Sequence, residues 1–478
     1  MQGIGHYRLK ASLGDETLAY TCSRFNLRGT VAWAERKGQM LTRPSVRWVP
    51  ATTLALVLIS VSMAPIARAA GPEAGIPPGT VITQQNWQQY KDFMTPSMQS
   101  MWAGTYEWKF SPQYQMVVGP TRHYPPPPQF QKYTEQYASQ VQIETLPDGR
   151  HILKNYVAGL PFPNPQDPMK GWKILANDWF AYVPKIICND TVGQVFRDRM
   201  GNITSNEIIV TLQIYDHVND PGVAIKDPKN PGVYYTEYFE LTKPEQARYT
   251  AILTMYYQDQ TKNEDTFLFV PALRRTLRLS SAARCSPVFG SDATNDDTRH
   301  GAFNGNITKF DATYLGDARI LEMPDPDILK SGFLENFDPP FFFPKPLIGK
   351  WEVRDEYVID ARHIPSLRAG YCYGKRILYC DKESSNAMWA ELYDENLKLW
   401  KIFYDPQAQM VVPGQGRYWT NGGWGDLFDV QNQHLSWVHL AGSTGPFRAN
   451  SDCENVNGIN LTDSGRYGSV RGLSEIMR

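Results

Sequence analysis

Residues 206–217 read NEIIVTLQIYDH, and this stretch decides the fold class together with three similar runs that follow it. The runs are VYYTEYFEL at 233–241, YTAILTMYYQ at 249–258 and TFLFV at 266–270. They are rich in β-branched and aromatic residues and are bounded by Pro, Gly, Asn and Asp, which is typical of strands. Because no long helix separates them, we expect neighbouring strands to pair antiparallel.

A second strand-rich block runs from Trp351 to Gln409 and contains WEVRDEYVIDAR, KRILYCDKESS and MWAELYDENLKLWKIFYD. Turn signals at 381–383 and 394–396 separate its hairpin arms. The two blocks together predict a mainly β (α+β) fold with a few helices. We expect a large, curved antiparallel sheet or incomplete β-barrel that encloses an apolar cavity.

A short helix is predicted ahead of the first block, because Trp87, Tyr90 and Phe93 lie at helical spacing. Pro96 is expected to end this helix. At the other end of the chain, the sequence becomes polar after Asn450. This change predicts a flexible tail over residues 451–478.

A cleavable signal peptide is predicted to begin at Met40 rather than at Met1. Two arginines precede an apolar run at 49–64, and small residues at a small-x-small site follow it, so the mature chain would start after Ala69, at Ala70. An apolar run of about 16 residues is short for a membrane-spanning helix, which needs roughly 20. A retained N-terminal anchor is the alternative.

These signals divide the chain as follows. We expect a non-native extension at 1–39, a signal peptide at 40–69, one large domain at 70–450 with strand-rich halves at 70–338 and 339–450, and the tail at 451–478. The predicted location is the periplasm, with an association with the outer membrane left open.

The net charge of the mature chain limits the classes of partner that we expect it to bind. Removing residues 1–69 leaves 39 basic and 46 acidic residues, a net charge of −7. No basic stripe for nucleic acid is present, and no second long apolar run would span a membrane as a helix. We therefore expect neither nucleic-acid binding nor a membrane span in the mature chain.

Five cysteines remain after residue 69, so an oxidising compartment allows disulfides but leaves at least one thiol over. Cys372 and Cys380 are close in sequence, but the intervening KRILYC reads as a strand. An extended strand holds the two Cα atoms farther apart than the roughly 7 Å that a disulfide spans. The sequence does not fix the pairing.

An arginine cluster follows the strand at 266–270. Guanidinium groups suit the capture of a carboxylate or a phosphate, which suggests docking of an acidic headgroup or partner. The alternative is structural, with the arginines fixing the next loop by pairing with its acidic residues. The residues concerned are Arg274, Arg275, Arg278, Asp292, Asp296 and Asp297.

Aromatic side chains in the middle of the chain are candidates for the cavity wall, although most would serve equally well as ordinary core. The candidates are Trp179, Phe180, Tyr182, Tyr215, Tyr235, Phe239, Met255 and Tyr257. No G-x-S-x-G, H-E-x-x-H, P-loop or C-x-x-C motif is present. We therefore expect no catalytic residues, no metal and no cofactor.

Several segments resemble a family of bacterial envelope proteins. FVPALRRTLRLSS at 269–281, followed by FGSDATNDD at 289–297, is similar to segments of relatives of the outer-membrane lipoprotein-sorting proteins LolA and LolB. Other segments resemble a branch of that group, the domain of unknown function 1329. They are PPGTVITQQNWQQYKDFM at 77–94, LRLSSAARC at 277–285, GKWEVRDEYV at 349–358 and YGKRILYCDKESS at 373–385.

The resemblance implies an incomplete barrel with helices over its open side and a cavity for acyl chains. It also implies work beside a resistance-nodulation-division type transporter of the inner membrane and an outer-membrane protein. We therefore expect a non-enzymatic periplasmic carrier or accessory protein that binds a lipid or similar apolar ligand. The alternatives are an envelope hydrolase acting on lipid or glycan, and a ligand-free structural adaptor.

Overall fold

The strand-rich runs form strands in the computed structural model, which describes residues 75–477 apart from 231, 300, 332–333, 339–342 and 440–445. The strands up to residue 278 are β1 (Val81–Ile82), β2 (Met116–Val117), β3 (Gln142–Thr145), β4 (His151–Lys154), β5 (Ile186–Arg197), β6 (Ile203–Ile214), β7 (Val233–Lys243), β8 (Ala251–Tyr257), β9 (Asp265–Val270) and β10 (Arg275–Arg278).

The later strands are β11 (Phe310–Glu322), β12 (Phe337–Asp338), β13 (Phe343–Pro344), β14 (Glu352–His363), β15 (Lys375–Asp381), β16 (Ala387–Tyr393), β17 (Leu399–Tyr404), β18 (Gln407–Val412), β19 (Gly416–Asp429), β20 (His434–His439) and β21 (Arg448–Ala449). The helices are α1 (Pro96–Ala103), α2 (Pro128–Tyr137), α3 (Lys170–Trp179), α4 (Ile328–Ser331), α5 (Ser464–Tyr467) and α6 (Val470–Ser474). Among the residues that the structure describes, every helix is too short or too polar to cross a bilayer.

One large antiparallel sheet dominates the fold. Its strand order is β10-β9-β8-β7-β6-β5-β20-β19-β17-β16-β15-β14-β11, with β18 added on β19 and β21 on β5. The outermost strands, β10 and β11, do not pair with each other, so the sheet is open rather than a closed barrel. The predicted fold class is confirmed. The two predicted strand-rich halves share this sheet, because β5 pairs with β20.

Alternation along each strand divides the core into two layers. On β6, Ile208, Val210 and Leu212 belong to one hydrophobic cluster, whereas Ile209 belongs to another on the opposite side. We call the first side the inner face, because it also contacts α3. The opposite side is the outer face.

Helix α3 contacts β8 near one end of the sheet and β11 at the other end, which shows that the sheet curves around it. The Ala387 amide of β16 donates to Asp178 Oδ1 at 3.0 Å, and the Trp179 ring lies 5.6 Å from the Tyr256 ring of β8. Gly171 lets α3 approach β11 closely, since a Cβ atom there would lie 2.3 Å from the Ala312 carbonyl oxygen. The inner face is thus concave.

The outer face is covered by an N-terminal arm at 76–118. The predicted helix forms a 3-10 turn at Trp87–Phe93. Pro96 does not simply end that helix. It is the first residue of α1, which Thr95 caps by accepting from the Met98 amide, and proline is favoured at this position because it has no amide to satisfy.

A C-terminal arm at 450–476 covers the rest of the outer face, over β5 to β9, where the sequence predicted a flexible tail. Leu461 and Leu473 are fully buried against this part of the sheet. The Arg466 guanidinium lies 3.1 Å from Glu240 Oε2 of β7. The structure differs from the prediction because a few well-spaced apolar residues suffice to anchor a mostly polar segment.

Two disulfides fasten segments to the sheet. Cys188 of β5 bonds to Cys453 of the C-terminal arm, and Cys285 bonds to Cys372 between β14 and β15. Cys380 lies on β15 as a free, buried thiol, as expected from the strand that separates it from Cys372. The partners of each bond are 265 and 87 residues apart in the chain.

Peptide mapping without reduction should recover Cys188 linked to Cys453 and Cys285 linked to Cys372. Replacing Cys188 and Cys453 together by alanine should lower the free energy of unfolding by about 5 kcal/mol, because the crosslink joins residues 265 positions apart in the chain. Denaturant unfolding checks the loss. Cys380→Ala, which removes no crosslink, is the control, and a peptide joining Cys372 to Cys380 would contradict the pairing.

Candidate ligand cavity

A cavity of about 150 Å³ lies between the concave inner face and the chain segment at 288–299. Its floor comes from β5, β6, β7, β17, β19 and β20, which contribute mainly apolar side chains. These include Val192, Ile208, Val210, Phe239, Phe403 and Leu427. Inward-facing positions of strands from both halves of the sequence therefore meet at one place.

Two buried ion pairs hold the segment over this floor. The Arg376 guanidinium of β15 lies 3.0 Å from Asp297 Oδ1, and the Arg284 guanidinium contacts the Asp296 carboxylate. Burial alone would raise the pKa of Asp296, but the charges of Arg284 and Arg376 outweigh it and lower that pKa to about 2. Asp296 is therefore ionised at neutral pH.

Tyrosines and a glycine complete the attachment of this segment. The Tyr373 hydroxyl donates to Asp297 Oδ2 at 2.7 Å, and the Tyr371 hydroxyl donates to Asp296 Oδ2 at 2.8 Å. Gly301, at φ +62°, lies so close to β16 that a Cβ atom would be 2.3 Å from the Ala387 carbonyl oxygen. Only glycine fits this approach without displacing the strand.

Glu237 of β7 is one of the residues that line the cavity. Its Oε2 accepts from Asn304 Nδ2 at 2.8 Å and from the Thr298 hydroxyl at 3.2 Å. Its Oε1 is buried and has no hydrogen-bond partner among the described residues. Burial raises the pKa of Glu237 to about 7, with Arg284 partly opposing the effect. This carboxyl group can therefore gain or lose a proton near neutral pH.

Arg299 lines the same cavity and is buried. Its Nη2 donates to the Trp179 carbonyl at 3.3 Å, and its guanidinium lies 4.6 Å from the centre of the Tyr235 ring. Burial alone would lower the pKa of Arg299, but the neighbouring Tyr234 and Tyr235 side chains outweigh it and raise that pKa above its ordinary value. The cavity thus combines mainly apolar walls with a buried carboxyl group and a buried guanidinium group among its lining residues.

Ser436, on the wall formed by β20, belongs to a group with the composition of a hydrolase triad but not its order. The Ser436 hydroxyl donates to Asp292 Oδ2 at 2.9 Å, and His434 Nδ1 lies 3.4 Å from Asp292 Oδ1. In a catalytic triad the histidine lies between the serine and the acid, so that it can take the serine proton. Here the acid lies between the other two, and burial raises the pKa of Asp292.

Of the eight predicted cavity residues, only Phe239 lines this cavity. Trp179, Phe180 and Tyr257 line a smaller pocket of about 30 Å³ beside His217. The others have structural contacts: Tyr182 donates to Asp220, Tyr215 donates to Gln213, Tyr235 stacks on Tyr256, and Met255 packs against the cluster beneath the C-terminal arm.

The structural alternative, in which the arginine cluster pairs with the loop aspartates, is wrong. Arg274, Arg275 and Arg278 are exposed at the β9–β10 hairpin, and the Arg278 guanidinium contacts Asp265. Asp296 and Asp297 bind Arg284 and Arg376 instead, while Asp292 binds Ser436. The structure therefore does not bring the six predicted docking residues together. A docking role for the exposed arginines stays a prediction.

Comparison with known proteins identifies relatives of unknown function. A family model described as "Protein of unknown function (DUF1329)" matches residues 81–457. An uncharacterized protein of Pseudomonas aeruginosa is 22% identical over 361 residues, covering 71% of this chain and 73% of the relative.

Two solved structures are also similar. A DUF1329 family protein from Desulfovibrio piger aligns with a TM-score of 0.42 and 13% identity, over 62% of this chain and 99% of its own. A LolA superfamily protein from Nitrosomonas europaea aligns with a TM-score of 0.36 and 14% identity, over 59% of this chain and 94% of its own.

Glu237→Gln should stabilise the protein at pH 8 and have little effect at pH 4. The folded-state pKa of Glu237 is about 7, above its ordinary value of about 4.5, so ionisation costs stability progressively as pH rises from 4.5 to 7. The gain at pH 8 should be on the order of 3 kcal/mol. Denaturant unfolding at both pH values measures it, with exposed Glu245→Gln as the matched control. An equal effect at both values would contradict the assignment.

Proposed function

Because this chain belongs to the DUF1329 family, whose members are proteins of unknown function, we propose that it is a non-enzymatic carrier or accessory protein of the periplasm. It binds an apolar ligand, such as a lipid or an acyl chain, in the cavity between its curved sheet and the segment at 288–299. The observation that carries this proposal is the cavity itself, whose walls are mainly apolar.

Burial of apolar surface supplies enough free energy for such binding. Each ligand CH₂ group removed from water contributes about 0.8 kcal/mol, so a short alkyl segment needs no catalytic group to bind. Val192, Ile208, Val210 and Phe239 offer adjacent apolar surface on three neighbouring strands. The walls are already formed, which limits the conformational entropy that binding must overcome.

The size of the cavity limits what it encloses. An engineered apolar cavity of about 150 Å³ in another protein holds one benzene molecule. The cavity here, also about 150 Å³, therefore encloses a ring or a short alkyl segment as it stands. A whole acyl chain would extend beyond it or widen it. This volume also favours, as a second candidate function, a structural adaptor whose interior is largely filled by its own side chains.

The rival proposal of a serine hydrolase is not supported, because the Asp292 carboxylate lies between Ser436 and His434. A hydrolase triad has the histidine in the middle position. Handover between an inner-membrane transporter of the resistance-nodulation-division type and an outer-membrane protein remains part of the proposal. Transfer to the periplasm depends on the signal peptide predicted at 40–69, which lies outside the described residues.

Val210→Phe should weaken binding of toluene at least about tenfold, because the larger side chain projects from the floor and occupies the cavity. Ligand-observed NMR titration of the full-length protein measures the affinity. Val411→Phe adds the same atoms at a side chain that is 57% exposed on β18, and it should leave binding unchanged. A thermal unfolding curve for each variant separates lost binding from lost folding. Equal toluene affinity in both variants would contradict the proposal.

A further inference from the structure

Three hairpin turns lie at the same end of the sheet, and we call them together the hairpin rim. They join β5 to β6, β7 to β8 and β9 to β10. Counted with the strand residue on either side, they are residues 197–203, 243–251 and 270–275. Because these six neighbouring strands pair antiparallel, the loops that join β6 to β7 and β8 to β9 lie at the opposite end.

The exposed apolar side chains of this half of the sheet lie at the rim or beside it. Met200 is 80% exposed and Leu273 is 59% exposed, and Ile203 and Leu277 are exposed as well. Between residues 186 and 279, no other large apolar side chain is exposed in the part of the chain that the structure describes. Single exposed apolar residues are common, but a set confined to one end marks a surface that contacts something apolar.

The two ends of these strands also differ in charge. The hairpin rim contains six basic and two acidic residues, a net charge of +4. The loops at the opposite end, counted in the same way as 214–233 and 257–265, contain three basic and six acidic residues, a net charge of −3. The predicted mature chain carries −7 overall, so the positive rim does not follow from the composition of the chain.

The arginines at the outer two turns of the rim are available to a partner. Arg199, Arg274 and Arg275 are exposed, and none of them has an ion-pair partner among the described residues. Asp198, the acidic residue nearest to Arg199, instead accepts from the Met200 amide at 2.8 Å and so stabilises the turn. The rim therefore presents apolar side chains and free guanidinium groups together.

This arrangement fits a lipid surface better than a protein partner. A protein interface buries its apolar residues in one packed core. Met200 and Leu273 lie instead on separate hairpins, with the polar turn at 243–251 between them in the strand order. Separate apolar tips can each enter the boundary between head groups and acyl chains, while basic residues beside them contact anionic head groups.

We propose that the hairpin rim docks on a lipid surface that carries anionic head groups. The side chains of Met200, Ile203 and Leu273 enter the apolar boundary of that surface, and the guanidinium groups of Arg199 and Arg275 contact lipid phosphate. This inference goes beyond the proposed function, because it concerns a surface outside the cavity and does not require the cavity to hold a ligand.

Docking at the rim would also place the cavity close to the lipid. Strand β6 begins in the rim at Ile203 and reaches the cavity floor at Ile208. Five residues of extended strand span roughly 17 Å. An apolar ligand that leaves the lipid would therefore have a short distance to cover.

Vesicle sedimentation tests the inference on protein that is expressed as the full chain and purified from the cell envelope without detergent. Vesicles of equal parts phosphatidylcholine and phosphatidylglycerol should bind at least about tenfold more tightly than vesicles of phosphatidylcholine alone. Replacing Arg199 and Arg275 together by glutamine should lower this affinity about 30-fold, and Leu273→Ser should lower it about tenfold.

Three outcomes would overturn the proposal. Equal binding to both kinds of vesicle would exclude recognition of anionic head groups. An unchanged affinity in the Leu273→Ser variant would exclude entry of the tips into the lipid. Binding to neither kind of vesicle would exclude a lipid surface and leave an acidic protein surface as the partner of the arginines.

Matched substitutions away from the rim provide the controls. Replacing Lys226 and Lys229 together by glutamine removes the same charge from the opposite end, and Leu347→Ser makes the same change at an exposed leucine ahead of β14. Both should leave the vesicle affinity within about twofold of the unchanged protein, because charges far from the lipid are screened by salt. Equal losses in rim and control variants would overturn the assignment of the surface. Thermal unfolding curves verify that each variant is folded.

Toluene binding by the same samples separates this inference from the proposed function. The rim variants should bind toluene as the unchanged protein does, since no rim residue is among the described residues that line the cavity. Vesicle binding without toluene binding would contradict the proposed function and support this inference. Toluene binding without vesicle binding would overturn this inference and support the proposed function.

Discussion

The buried contacts of Arg376 with Asp297 and of Arg284 with Asp296 are the constraint on which the rest of the inner layer depends. Buried charges are tolerated only when they are paired and hydrogen-bonded, so these contacts hold the segment at 288–299 over the curved sheet. That position forms the roof of the cavity. It also brings Thr298 and Asn304 to Glu237. We expect loss of either ion pair to disturb both this side of the cavity and the contacts of Thr298 and Asn304 with Glu237.

Two arms of the chain cover the outer face of the sheet. The N-terminal arm at 76–118 and the C-terminal arm at 450–476 bury the outer face, and the Cys188–Cys453 bond secures the second arm to β5. Because the outer face is covered in this way, the concave inner face is the side on which a ligand cavity can form. The Cys285–Cys372 bond secures the start of the inner segment in the same manner.

The elements that could be predicted from the sequence are those whose signals lie within one short stretch of chain. The runs at 206–217 and 233–241 became β6 and β7 because their β-branched and aromatic residues favour strands wherever they lie. The cavity depends instead on which inward positions of distant strands become neighbours, and that register has no local signal. Glu237 could have been noticed, as a single acidic residue at an inward position between Tyr235 and Phe239. The partners of the loop aspartates could not be chosen from sequence, because Arg376 is 79 residues away from Asp297.

Native mass spectrometry of protein purified from the cell envelope without detergent tests most directly whether the cavity holds an apolar ligand. We expect a near-stoichiometric bound molecule that solvent extraction releases and identifies as apolar. A mass equal to that of the polypeptide alone, and unchanged after incubation with an envelope lipid extract, would contradict ligand binding and favour the structural adaptor.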